Sequence, residues 1–148
     1  MVKSFYLHYE EGMPKGTAQQ KGVAIRYKNG KPYVQHYKKD KVESARSQFV
    51  YKLNQYAPAK PSENPIKLSI WLAFDIKDKK LWGQYKTRRP DVDGYVKEFL
   101  DAMGDAGFFK DDAQIVDLRV VKTYAEKATI FVQIEELPPI PKRGGLNV

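Results

Sequence analysis

The most regular hydrophobic pattern in the chain runs from Ile66 to Ile76, where Ile66, Leu68, Ile70, Leu72, Phe74 and Ile76 occupy every second position. A period of two puts all six on one face, so this stretch is the clearest predicted strand. Two other segments carry a helical period. Val42, Ala45, Phe49 and Leu53 recur at three- and four-residue steps. They predict an amphipathic helix that ends near Tyr56, with Asp40 as its candidate N-cap. Val96, Phe99, Leu100 and Met103 form the buried stripe of a second helix, from about Asp93 to Asp105, with Gly104 and Gly107 at its exit.

The rest of the chain reads as strands and breaks. Lys3–Tyr9 is a short aromatic strand, and Glu10–Gly22, with Gly12, Pro14 and Gly16, is a loop. Val23–Tyr27 and Pro32–Tyr37 flank Asn29-Gly30, whose tolerance of positive φ signals a hairpin. Pro58, Pro61 and Pro65 interrupt the chain, and Lys77–Arg89 is a polar, lysine-rich loop around Trp82 and Gly83. Ile115–Lys122 and Thr129–Glu135 are two more strands, expected to pair with each other through a turn at Tyr124–Lys127. The order of elements predicts an α+β fold: a single domain with a mixed β-sheet and two main helices packed on one of its faces. The domain is expected over residues 1–137. Residues 138–148, with three prolines and Gly144-Gly145, are expected to be a flexible tail or an arm onto a partner.

Composition narrows the functional classes. The 148 residues, 42% hydrophobic and 30% charged, suffice for one packed core. A formal charge of +8 favours a polyanionic partner, nucleic acid or an acidic membrane. No long apolar run exists, and no helix pairs a basic face with a bare apolar one, so membrane binding is not expected. The absence of cysteine excludes disulfides, zinc–thiolate sites and a thiol nucleophile. Met1–Glu11 lacks the pattern of a signal peptide, and a cytoplasmic location is expected. No phosphate-loop or dinucleotide glycine fingerprint occurs, so no nucleotide cofactor is expected.

The candidate chemistry lies in acidic residues within this basic chain. Asp91 and Asp93 sit at the start of the second helix, where they serve either as caps or as ligands to a hard cation. Lys97 shares a helix face with Asp93. The pair is either an exposed ion pair worth about 0.3–0.5 kcal/mol or part of a site that meets charge on a phosphate. Asp101 continues that stripe. Asp111 and Asp112 precede the next strand, either as a solvated turn or as a carboxylate source returned to Asp91 and Asp93. Asp117 lies further along that strand on an unassigned face. Carboxylates without nearby His or Cys favour Mg²⁺ or Mn²⁺ over zinc. His8 and His36 are remote in sequence and read as packing or surface residues. Lys15, Lys21, Lys80, Lys86, Arg88 and Arg89 are candidate phosphate contacts. Tyr33, Tyr37, Trp82 and Tyr85 are candidates for stacking on unpaired bases, although core packing is the expected role for most.

These residues resemble the RusA family of Holliday-junction resolvases. The resemblance rests on Arg89-Pro90-Asp91-Val92-Asp93, Lys97, Asp101-Ala102-Met103, Ala106–Asp117 and Arg119-Val120-Val121-Lys122. It implies a homodimeric endonuclease, dependent on Mg²⁺ or Mn²⁺, that nicks two opposing strands of four-way junction DNA. Asp91, Asp93 and Asp112 match the family's essential acids and metal ligands, and Lys97 its essential lysine. Gly94 departs from the family, which usually carries Asn there; a lost amide would weaken support for the ligands or a DNA contact. The alternatives are a less selective metal-dependent nuclease and a non-catalytic branched-DNA-binding module.

Overall fold

The computed structural model of the protein describes residues 2–15, 21–38 and 44–140, with the side chains of 21–24 and 35–38 outside that description. Its elements are β1 (Val2–Tyr9), β2 (Lys21–Lys28), β3 (Lys31–Lys38), α1 (Ala45–Leu53), β4 (Ile66–Asp75), α2 (Val92–Ala106), β5 (Ile115–Ala125) and β6 (Ala128–Glu136). Short 3₁₀ turns occur at Lys79–Leu81 and Asp112–Gln114.

The alternation that predicts β4 is kept: Ile66, Leu68, Ile70, Leu72 and Phe74 are all buried on one face. β1 adds Phe5, Leu7 and Tyr9 to that face, and β6 adds Ala128, Ile130, Val132 and Ile134. Both helices cover this face. Phe49 of α1 meets Tyr95 and Phe99 of α2 edge-on, with ring centroids 5.6 and 5.1 Å apart. The fold is thus α+β, with a mixed sheet and two helices on one side, as the pattern predicts.

The strand order is β1-β6-β4-β5. β4 runs parallel to β5 and antiparallel to β6, and β1 is antiparallel to β6. The expected hairpin between the last two strands does not form, because β4 lies between them. The link Glu126-Lys127 crosses the end of β4, where the Ile76 amide donates to the Ala125 carbonyl at 3.0 Å. Two strand spacings come to about 9.6 Å. Three residue steps reach about 10 Å. The link is therefore just long enough to step over one strand. β4, α2 and β5 form a parallel strand–helix–strand unit, with the helix as crossover.

β2 and β3 form a separate two-stranded sheet. Asn29 (φ 54°) and Gly30 (φ 75°) take the left-handed conformation this tight turn requires. The expected cap Asp40 lies outside the described residues. The cap of α1 is Ser44, whose hydroxyl accepts from the Ser47 amide at 3.1 Å. Gly107 ends α2 in the left-handed region, at φ 93°.

Candidate active site

The start of α2 is assembled from three parts of the chain. Tyr95, buried in its first turn, donates its hydroxyl to the Pro14 carbonyl at 2.7 Å. Burial raises the Tyr95 phenol well above its ordinary pKa, so the group stays a neutral donor. This bond holds the loop that carries exposed Lys15 against α2. The Met13 amide is bound to Asp75 at the end of β4 (3.4 Å).

The segment before α2 lies along the free edge of β5. Gly83 donates to the Tyr124 carbonyl (2.8 Å), Tyr124 to that of Gln84 (2.9 Å), and Lys86 to that of Lys122 (3.0 Å). From there the chain passes through Arg88 and Arg89, both exposed, and a cis Arg89–Pro90 peptide bond to Asp91. The Lys122 ammonium donates to the carbonyls of Arg88 (2.8 Å) and Pro90 (2.7 Å). Sequence reading gave Lys122 no part in the site. The signal was present, since Leu118, Val120 and Lys122 hold alternate positions in β5 beside buried Leu68, Ile70 and Leu72. A lysine in that row points toward the helices.

Asp91 is the N-cap residue of α2 by position, yet its side chain makes no capping bond. Asp93 and Lys97 are exposed one turn apart and form no ion pair with each other. Among the described residues, the side chains of Asp91, Asp93, Asp112 and Lys97 have no hydrogen-bond or ion-pair partner. Several aspartates around them are occupied. Asp78 and Asp111 cap the two 3₁₀ turns, and Asp111 forms a capping box with Gln114. Arg46 of α1 donates to Asp105 at 2.9 Å and lies 4.0 Å from Asp101. Asp101 therefore belongs to a helix–helix tie and not to the acidic pair more than two turns before it. The Asp117 side chain is exposed and likewise without a partner among the described residues. It pairs in register with exposed Lys67, on the sheet face away from the helices.

Asp91, Asp93 and Lys97 share one end of α2, and Asp112 lies beyond the other end. The Asp112 turn is held beside the start of β4: the Gln114 amide donates to the carbonyls of Ser62 (2.9 Å) and Asn64 (3.0 Å), and the Lys110 backbone amide to that of Ser62 (3.2 Å). The 15 residues of α2 separate the two ends by about 22 Å. The expected return of Asp112 to Asp91 and Asp93 within the chain does not occur. Among the described residues, no group of three Asp, Glu or His side chains gathers to hold a metal ion. Exposed, unpartnered carboxylates with no nitrogen or sulfur donor are the type of group that suits a hard, oxygen-seeking cation.

The basic candidates differ in what surrounds them. Lys80, Arg88 and Arg89 are exposed around the same loop, and the Lys21 side chain lies outside the described residues. The Lys86 ammonium sits over two rings, 4.7 Å from Tyr124 and 5.3 Å from Phe74. Of the aromatic candidates, Tyr85 (75% exposed) and Tyr33 (47%) are open to solvent. Trp82 is half-buried and its indole donates to the Ile76 carbonyl (2.8 Å). The Tyr37 side chain lies outside the described residues. Among the described residues, no helix is long and apolar enough to cross a membrane.

A sequence model of the family described as Endodeoxyribonuclease RusA matches residues 11–135. Over 133 residues, 90% of this chain and 98% of its relative, the chain is 32% identical to the crossover junction endodeoxyribonuclease rusA of Lactococcus phage r1t. Over 55 residues, 37% of this chain and 46% of the relative, it is 46% identical to the crossover junction endodeoxyribonuclease RusA of Escherichia coli. A stretch of 51 residues, 34% of this chain and 35% of the relative, is 47% identical to the uncharacterized protein YqaN of Bacillus subtilis. With the acidic helix start and the βαβ unit that carries it, these matches place the chain in the RusA family of endodeoxyribonucleases.

Proposed function

We propose that this protein is a divalent-cation-dependent endodeoxyribonuclease that resolves four-way DNA junctions by paired symmetric nicks, working as a homodimer. One observation carries the reading: the carboxylates of Asp91, Asp93 and Asp112 and the ammonium of Lys97 have no partner among the described residues, while Asp75, Asp78, Asp101, Asp105 and Asp111 beside them do. Unpartnered acids at a helix start, on a chain of charge +8, suit a cation and a phosphate better than they suit stability.

Asp91 and Asp93 hold the cation from one side, with the positive end of the α2 dipole behind them. Magnesium, or manganese in its place, supplies Lewis acidity toward the scissile phosphate when bound there. Lys97, one turn along, faces the developing charge on the non-bridging phosphate oxygens. Lys15, Lys21, Lys80, Arg88 and Arg89 neutralise and position the DNA backbone without reading bases, with Lys86 held over aromatic rings beside them.

Asp112 enters from a second copy. Oxygen ligands lie within about 2.6 Å of such a cation, and α2 separates the two acid groups of one chain by far more. A two-fold dimer, in which each subunit's Asp91 and Asp93 meet the partner's Asp112, completes two equivalent sites. It also matches the chemistry, because paired nicks in opposing strands need two sites at once.

The test is cleavage of a mobile four-way junction beside linear duplex and forked DNA, with Mg²⁺ or EDTA, by wild type and Asp93→Asn. Paired nicks on the junction, abolished by EDTA and by the substitution with binding retained, are the expected result. Equal cutting of all three substrates would make it a less selective nuclease. Junction binding with no cutting in Mg²⁺ or Mn²⁺ would leave a branched-DNA-binding module.

A further inference from the structure

Lys122 makes three hydrogen bonds that the reading above does not use. Its backbone carbonyl accepts from the Lys86 amide at 3.0 Å, and its side chain reaches over the same segment to the carbonyls of Arg88 (2.8 Å) and Pro90 (2.7 Å). One residue therefore fastens both ends of the stretch 86–90, which leads directly into Asp91. The anchor itself is fixed. Lys122 lies within β5, in register with fully buried Leu72. An ammonium has three donors and no acceptor; two are given to these carbonyls, and none contacts a carboxylate among the described residues. The lysine thus acts on backbone rather than as half of an ion pair. On the other side of Asp91, its carbonyl accepts from the Tyr95 amide at 3.1 Å, which ties the residue into the first turn of α2. Asp91 is held from behind by Lys122 and from ahead by the helix, while its carboxylate makes no cap bond and stays available.

We propose that Lys122 is a positioning residue of the acidic site: it sets the backbone before Asp91 so that the Asp91 carboxylate and the Arg88 and Arg89 side chains are presented together. This rests on the reading of Asp91 and Asp93 as cation ligands. The residue touches neither cation nor phosphate; it acts through the Arg88 and Pro90 carbonyls. Outer groups that orient a ligand commonly change metal affinity about 10- to 100-fold when removed.

The experiment uses the full chain as wild type, Lys122→Met, Lys122→Arg and Asp91→Asn. Three quantities are read: Mn²⁺ affinity without DNA, backbone amide exchange over residues 86–93, and the Mg²⁺ concentration for half-maximal junction cleavage. Lys122→Met keeps the unbranched stem and loses every donor. It should speed exchange in that segment, weaken Mn²⁺ binding at least about tenfold, and shift cleavage to higher Mg²⁺ by a similar factor, with thermal unfolding still cooperative. Lys122→Arg, which can span two carbonyls, should recover most of the Mn²⁺ affinity. Unchanged exchange in Lys122→Met would overturn the inference, as would faster exchange with wild-type Mn²⁺ affinity. Should Lys122→Met fail to fold, Lys122→Leu, which likewise carries no donor, is read by the same criteria. If wild type and Asp91→Asn take up Mn²⁺ equally, the cation reading of the site fails and this inference fails with it. If they differ while Lys122→Met matches wild type, only this inference fails.

Discussion

Gly94 occupies the third position of α2, between the paired aspartates and buried Tyr95. Open space surrounds the position a Cβ would take, with no atom within 4 Å. The residue is not required by a left-handed backbone or by a close neighbour, and it carries the helical cost of glycine alone. Gly94→Ala should stabilise the protein by about 0.5–1 kcal/mol. For a chain of this size that raises Tm by about 2–4 °C per kcal/mol, readable by thermal unfolding. A lower Tm would show that the first turn of α2 is constrained by something beyond these contacts. At this scale the sequence was most legible where unusual residue types cluster, as with Asp91, Asp93 and Lys97. It was least legible where an ordinary residue does an unusual job. Lys122 becomes visible only when the alternation of β5 is counted and a charge is found in a row of apolar side chains. Asp112 is the instructive case: its nearness in sequence suggested return to Asp91, yet a helix of 15 residues between them separates the two groups by its full length.

Elements are joined by ties whose pH dependence is readable. The Arg46 guanidinium of α1 donates to Asp105 of α2 and holds its carboxyl below the usual range, chiefly through that hydrogen bond. Glu136 is lowered by the Ser62 hydroxyl and then by Asn64, and Glu63 by Lys110. A folded-state pKa below the unfolded value of about 4 means stability fully present above that value and lost as pH falls through the folded one. Stability should therefore be flat from about pH 5 to 8 and decline below about pH 4. The Arg46 and Asp105 side chains are 45% and 42% exposed, so solvent and salt screen the pair. Arg46→Ala should cost no more than about 1 kcal/mol at neutral pH in low salt, and less below pH 4, by denaturant unfolding. A cost that stays constant through pH 3 would mean the side chain acts by packing instead. β4 and α2 were legible because period two and period 3.6 persist along their length. The pairing of β5 with β6 was misread because a short link between strands usually makes a hairpin; only the register to β4 on both sides shows that the link skips a strand.

For the whole molecule, the charge of +8 predicts the salt response before any contact is specified. Binding that neutralises about five duplex phosphates gives a log–log salt slope of about −4 to −5. Arg89→Ala should reduce that slope by about one. Lys86→Ala should change it less, because the Lys86 ammonium lies over the Phe74 and Tyr124 rings. Titration of junction binding from low to moderate salt separates the two, and equal effects would mean that Lys86 leaves its rings to meet DNA.

The central claim is a nuclease site divided between two copies of the chain, and mixing subunits tests it most directly. Asp93→Asn and Asp112→Asn are each expected to abolish junction cleavage. If each site takes Asp91 and Asp93 from one subunit and Asp112 from the partner, a mixed dimer of the two variants holds one fully wild-type site and one doubly altered site. Random exchange makes about half of the dimers mixed, so about a quarter of the wild-type sites should return. Single nicks should then appear in place of paired ones. If all three acids act within one chain, every site in the mixture carries a substitution. A mixture as inactive as either variant alone, with subunit exchange verified, would contradict the account.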